Sequence, residues 1–97
     1  MKALFIIVNA GFADEVITIA RENGVRGATI LNSRGEGIHH ESILGITVDT
    51  EKEMILCVTD ENTAEMAMSA VKEKAGVKTP AHSICFTMPV ENVIGIE

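Results

Sequence analysis

The side chains best suited to chemistry lie in two polar segments of the chain. The first, residues 35–42, contains a histidine pair and two glutamates: His39, His40, Glu36 and Glu41. Imidazole nitrogens with a carboxylate can bind zinc, copper or nickel. Solvated loop histidines are the opposing interpretation, because adjacent residues of an extended chain point apart and no Cys or His pair has a metal-binding spacing. Both interpretations stay open.

The second segment, residues 77–83, has four side chains that could contact a ligand: Lys78, Thr79, His82 and Ser83. A lysine ammonium and loop N–H groups suit an anion. His82 is, like His39, an alternative candidate for a metal ligand. The alternative is a polar loop shaped by Pro80, without a ligand.

No arrangement typical of catalysis is visible. Ser42 and Ser83 have histidines nearby in sequence but no nucleophile-elbow pattern. Cys57 and Cys85 lie in apolar runs, which predicts buried free thiols instead of a disulfide or a reactive pair. We therefore expect a protein that is not an enzyme.

Composition narrows the class of protein. The 97 residues, of which 46% are hydrophobic and 3% aromatic, predict one globular domain, residues 1–97, with a small aliphatic core. A net charge of −6 with eight scattered Lys and Arg argues against nucleic acid as a partner. No apolar run is long enough to span a bilayer and no leader pattern precedes the first strand, so we expect a cytoplasmic protein without direct membrane insertion.

The hydrophobic pattern predicts the order β-α-β-loop-β-α-β. The four main strands are expected around residues 4–8, 28–33, 54–58 and 84–88, and the helices around 13–21 and 64–75. Residues 43–48, after the polar loop, also have a strand-like pattern. Gly24 and Gly76 are expected to end the helices, and Thr59 or Asp60 to cap the second one.

This order is that of a ferredoxin-like βαββαβ sandwich, an α+β fold. It predicts a four-stranded antiparallel sheet with both helices on one face, and residues 93–96 can add a short C-terminal edge strand. We expect the uncovered face to carry alternate residues of an apolar set: Ile6, Val8, Ile30, Ile55 and Cys57. An apolar face of this size is unusual on a monomer, which predicts an oligomer.

The sequence resembles the PII-type nitrogen-regulatory signalling proteins over nearly all 97 residues. Residues 27–37, with Thr29, Gly35 and Gly37, resemble the Gly-x-Thr-Val…Gly-Phe-Gly signature that precedes that family's long T-loop. Lys52 falls on the lysine of the return strand. Residues 76–86 match the family's B-loop in position, and residues 93–96 resemble its C-terminal Val-Ile-Arg-Ile.

The resemblance implies a homotrimer that binds adenine nucleotides between subunits and regulates a transporter or an enzyme through the T-loop. The cleft residues that it implies are Thr29, Gly35, Gly37, Lys52 and Val58. A ligand would then lie between residues 35–39, which include Glu36 and His39, and residues 78–83. His39 falls where the family has a glutamine that helps to hold a bound metal–ligand complex.

Several departures from the family pattern alter the expected ligand. The T-loop is shorter than usual, and the chain has no tyrosine that could be uridylylated. Residues 79–83 replace the Gly-Asp-Gly-Lys phosphate loop, while Gly95 and Glu97 replace two arginines. We therefore expect an effector less charged than ATP, or a weakly held nucleotide. The alternatives are a metal-binding trimer of the CutA copper-tolerance kind, with His39 and His82 as ligands, and a non-catalytic ferredoxin-like assembly domain.

Overall fold

A computed structural model describes residues 1–32, 41–43, 46–48 and 52–95 of the chain. It contains eight elements in this order: β1 (Lys2–Asn9), α1 (Ala13–Glu22), β2 (Thr29–Asn32), β3 (Glu41–Ile43), β4 (Ile46–Val48), β5 (Lys52–Thr59), α2 (Glu61–Ala75) and β6 (Ile84–Pro89). Neither helix among these residues is long and apolar enough to cross a membrane.

Four of the strands form one antiparallel sheet in the order β2-β5-β1-β6. This order and the two helices confirm the predicted ferredoxin-like sandwich. The strand expected over residues 43–48 is instead two short strands, because β3 and β4 pair antiparallel with Ile43 opposite Ile46. They form a separate two-stranded sheet.

The ends of α1 follow from local backbone chemistry. Asp14 and Glu15 lie in its first turn and Arg21 in its last, an order that suits the helix dipole. Gly24 has φ of 102°, a left-handed conformation that favours glycine, and its N–H donates to the carbonyl oxygen of Arg21. The predicted stop at Gly24 is confirmed.

The ends of α2 are defined as sharply. The Asp60 carboxylate caps the helix by accepting hydrogen bonds from the N–H and the hydroxyl of Thr63, both over 2.8 Å. These bonds lower the pKa of Asp60 from its ordinary value. At the other end a side chain at Gly76 would overlap the carbonyl oxygen of Lys72. Gly76 is therefore required by close packing, not by a positive φ.

The core lies between the helices and one face of the sheet. Opposite residues on paired strands share a face, and the register places Leu4 opposite Cys57 and Ile6 opposite Ile55. These side chains pack against buried residues of both helices, such as Val16. The expectation that Ile6, Val8, Ile55 and Cys57 lie on the uncovered face is therefore wrong. Ile30, opposite Ile55, belongs to the helix side too.

The uncovered face carries the other half of each strand. The rings of Phe5 and Phe86 stack there with centroids 4.9 Å apart, next to Ile7 and Met54. At the margins Leu31 is 46% exposed and Met88 42% exposed. The face is apolar as expected, although different residues make it so.

Residues 93–95 do not form the short edge strand considered from sequence. Gly95 has φ of 99°, which turns the backbone out of an extended path, and the side chain of Ile94 is fully exposed. Within the described residues, nothing holds this segment in a ladder.

Candidate functional site

The second polar segment folds into a compact turn between α2 and β6, called loop 76–83 here. The N–H and the hydroxyl of Thr79 both donate to the carbonyl oxygen of Gly76, over 3.0 and 2.8 Å. The N–H of His82 donates to the Thr79 oxygen, and the N–H of Ser83 donates to the Ala75 oxygen over 2.9 Å. The hydroxyl proton of Thr79 is thus used within the loop, and its oxygen lone pairs remain for other partners.

His82 adopts an uncommon backbone conformation, with φ of 47°. Its Nδ1 lies 3.0 Å from the carbonyl oxygen of Val77. Since a carbonyl oxygen only accepts, this hydrogen bond requires the proton on Nδ1. Nε2 of the neutral ring then keeps its lone pair and is the nitrogen that could bind a metal ion or accept a proton.

Ser83 presents a polar atom without an explained partner. The residue is 7% exposed, and its Oγ is buried with no hydrogen-bond partner among the described residues. Buried hydroxyls are nearly always hydrogen-bonded, so an unpaired one calls for a local explanation. Ser83 also lines a groove of about 510 Å³ between α2 and β6, with Lys72, Lys78 and Cys85. That volume is in the range of small-molecule sites.

Lys52 is joined to loop 76–83 through Asn9, a residue that sequence reasoning missed. The Lys52 ammonium donates to Oδ1 of Asn9 over 2.6 Å, and Nδ2 of Asn9 donates to the Pro80 oxygen over 2.8 Å. The N–H of Asn9 donates to the Ala81 oxygen over 2.9 Å. The available cue in sequence was one asparagine directly after the apolar run of residues 4–8.

Thr29 and Val58 lie in a different place. They line a groove of about 670 Å³ together with Arg26, whose guanidinium no sequence motif had pointed to. Val58 follows Lys52 by six residues on the same strand, so the two are about 20 Å apart at roughly 3.3 Å per residue. The structure therefore divides the predicted cleft residues between opposite ends of β5.

Four predicted ligand residues lie outside the described residues: Gly35, Glu36, Gly37 and His39. The metal site that pairs His39 with His82 is thus untested. Within the described ranges, no group of three or more His, Cys, Asp or Glu side chains could hold a metal ion.

Both cysteines are free. Burial raises the pKa of Cys57, and it raises the pKa of Cys85 to about 11. Both side chains are therefore neutral thiols near pH 7, which does not favour nucleophilic chemistry.

The strand order defines this protein as a ferredoxin-like α+β sandwich, in which polar and charged residues that could contact a ligand lie at both ends of β5. The chain belongs to the nitrogen regulatory protein P-II family, whose model matches residues 1–97. The resemblance noted in the sequence is thereby confirmed. No curated protein matches the sequence.

Two solved structures illustrate how far the fold is shared. A protein of Thermus thermophilus described as PII-like and signalling has a TM-score of 0.66 and 17% identity, over 90% of this chain and 83% of that one. CPII, a nitrogen regulatory PII-like protein from Thiomonas intermedia K12, has a TM-score of 0.65 and 19% identity, over 98% and 94%. The CPII structure contains ADP, AMP and bicarbonate. At these identities the likeness concerns the fold.

Proposed function

We propose that this chain forms a cytoplasmic homotrimer that binds a small anionic effector between subunits and regulates a partner protein. The partner is a transporter or an enzyme, and the segment before β5 contacts it. The chain itself carries out no catalysis. Membership of the P-II family, a family of regulatory proteins, is the basis of the proposal.

The observation that carries the proposal is the division of the cleft residues between two ends of one strand. Lys52 lies with loop 76–83 at one end of β5, and Thr29 and Val58 line a groove at the other. One small ligand cannot span about 20 Å of strand within a subunit. It can contact both sets if neighbouring copies bring the loop end of one chain against the groove end of the next.

The uncovered sheet face supports assembly. Among the described residues, stacked Phe5 and Phe86 lie at the centre of this face with Ile7 and Met54. Leu31 and Met88 are exposed at its margins. Burying such a surface between copies releases ordered water and compensates for the small aliphatic core. Because each subunit would contribute different surfaces to each neighbour, the contact is heterologous, and a rotation of a third of a turn between neighbours closes it into a three-membered ring.

The charges favour an anion of modest size. Lys52 and Lys78 lie at the loop end, where Lys72 and Glu73 also line the groove, and Arg26 lines the other groove with Asp60. This small excess of cations matches AMP, ADP or bicarbonate better than it matches a triphosphate, because residues 79–83 lack the glycines of a phosphate loop. We take these three candidate ligands from the structure of CPII, which shares the fold and is bound to ADP, AMP and bicarbonate.

Two measurements on the purified protein test the proposal. Sedimentation should give three times the mass of one chain, and calorimetry should show ADP or AMP binding more tightly than ATP. Lys78→Ala should weaken binding by roughly ten- to a hundredfold, the usual cost of one charged contact, while Lys74→Ala serves as the control. A mass of one chain, or binding of zinc or copper that is lost in His82→Ala while all nucleotides fail, would contradict it.

A further inference from the structure

Asn9, the last residue of β1, joins parts of the chain that are far apart in sequence. Its side chain accepts from the Lys52 ammonium and donates to the Pro80 oxygen, and its backbone N–H donates to the Ala81 oxygen. These partners lie 43 and 71 positions away for the two side-chain contacts. No other described side chain hydrogen-bonds to both β5 and loop 76–83.

The chemistry of the partners fixes the orientation of this amide. The Lys52 ammonium can only donate, so it must face Oδ1, and the Pro80 carbonyl can only accept, so it must face Nδ2. Rotating the amide by half a turn would place donor against donor and acceptor against acceptor. Each contact therefore holds the side chain in the orientation that the other contact needs, which couples them.

We propose that Asn9 is a positioning residue that couples Lys52 to loop 76–83 and so keeps Lys52 and Lys78 in one mutual arrangement. An ammonium has three donors, and among the described residues Asn9 takes one of those of Lys52, so the same side chain can also donate to a ligand. The loop is held at residues 80 and 81, close to Lys78 in the chain. A ligand that moves either lysine then acts on the other through Asn9. The identity of that ligand rests on the proposed function, but the coupling does not.

A double-mutant cycle on the ligand-free protein tests the coupling. Asn9→Ala removes both side-chain contacts without adding charge, and Lys52→Met removes one while keeping the aliphatic stem. Asn23→Ala is the matched control, because Nδ2 of Asn23 also donates to a backbone oxygen, that of Ile19 over 2.9 Å, but at the end of α1. The readout is amide hydrogen exchange at His82 and Ser83, whose N–H groups are bonded in the loop.

Asn9→Ala should accelerate exchange at these amides by about tenfold, because the loss of one hydrogen bond lowers the free energy of local opening by a corresponding amount. Lys52→Met should accelerate it too, although among the described residues the ammonium of Lys52 hydrogen-bonds to Asn9 and not to the loop, and should add nothing when Asn9 is already Ala. Asn23→Ala should leave exchange there unchanged. Additive effects of the two substitutions, or no effect of Lys52→Met, would overturn the proposal.

Calorimetry with ADP adds a functional readout. If the wild-type protein binds ADP, Asn9→Ala should lower the affinity by about tenfold although both lysines remain, and Asn23→Ala should not. Unchanged affinity in Asn9→Ala would show that Asn9 does not position the lysines. If the wild-type protein binds neither ADP, AMP nor bicarbonate, the proposed function fails, and the exchange cycle alone decides the role of Asn9.

Discussion

The ring of Phe5 lies 4.9 Å from the ring of Phe86, with 11° between their planes, on the sheet face that neither helix covers. The two residues are direct partners in the β1–β6 ladder. Stacked aromatic pairs concentrate much of the energy of cores and interfaces. Because no described element of the single chain covers this face, the pair marks the centre of the expected contact between copies.

Phe86→Asp should therefore dissociate the assembly into single chains. Placing a carboxylate in a contact that excludes water is costly, and we expect the association to weaken by roughly thirtyfold or more. Analytical ultracentrifugation measures the mass, and Met66→Asp is the control because Met66 is 56% exposed on α2. An unchanged mass for Phe86→Asp at micromolar concentration would show that this face is not an interface.

Gly76 and Gly27 should respond differently to the same added methyl group. At Gly76 a Cβ would overlap the carbonyl oxygen of Lys72, whereas at Gly27 nothing lies within 4 Å. Gly76→Ala should cost about 1–3 kcal/mol of unfolding free energy, the usual range for overpacking, and should disturb the loop that follows. Gly27→Ala should be neutral within about 0.5 kcal/mol. Urea unfolding of both variants compares them, and equal stabilities would rule out the steric explanation.

The Asp60 cap should make part of the stability depend on pH. Hydrogen bonds from Thr63 hold the pKa of the folded carboxyl below its ordinary value of 3.8. Because the pKa is depressed, the contribution of the ionised Asp60 cap to the free energy of unfolding is complete above pH 3.8. It is lost as the pH falls through the pKa of the folded state. Asp60→Asn, which can still cap the helix, should unfold with a shallower loss of stability between about pH 5 and about pH 2. Identical pH profiles for the two proteins would contradict this assignment.

Cys85 should react slowly with thiol reagents in the native protein. A pKa of about 11 leaves a thiolate fraction near pH 7 that is roughly a hundredfold below that of an unperturbed thiol. Labelling with a disulfide reagent, followed by peptide mass spectrometry, measures Cys57 and Cys85 separately. Both should react fast in urea, and rapid labelling of native Cys85 would contradict its raised pKa.

The elements and their order could be predicted because local signals agree with the final fold. Gly24 ends α1 with a positive φ, and Asp60 caps α2, as their residue types predict. The hairpin of β3 and β4 was harder to predict, because three-residue strands separated by two residues look like one apolar run.

The faces of the sheet could not be predicted because residues 4–8 are apolar at every position. Alternation identifies a buried face only when the other face is polar. Here both faces are apolar, so the pattern does not show whether Ile6 and Val8 face the helices or the uncovered side of the sheet. The register, which places Ile6 opposite Ile55 beneath the helices, decides the question.

The sequence predicts Lys52 and Lys78 as the positively charged side chains near an expected ligand, but it does not predict how they are arranged. Neither the hydrogen bonds of Asn9 nor the groove position of Arg26 has a sequence signature. Both depend on contacts between residues far apart in the chain, which only the folded register brings together.

In the proposed assembly the two ends of β5 meet in a cleft between copies, and two substitutions probe this contact. Lys78→Glu places a carboxylate at the loop end, and Thr29→Glu places one at the groove end. Both positions are exposed in the single chain, so both variants should fold. Each variant alone should assemble normally and fail to bind ADP, because every cleft contains one repelling carboxylate.

The two variants are mixed in equal amounts, unfolded together and refolded. Calorimetry on the refolded mixture then tests whether the cleft lies between copies. In randomly mixed rings about one cleft in four receives an intact loop end and an intact groove end, so ADP binding should return at about a quarter of the wild-type stoichiometry with wild-type affinity. If the mixture binds no more ADP than the separate variants do, while the wild-type protein binds it, the site lies within one chain and the account is wrong.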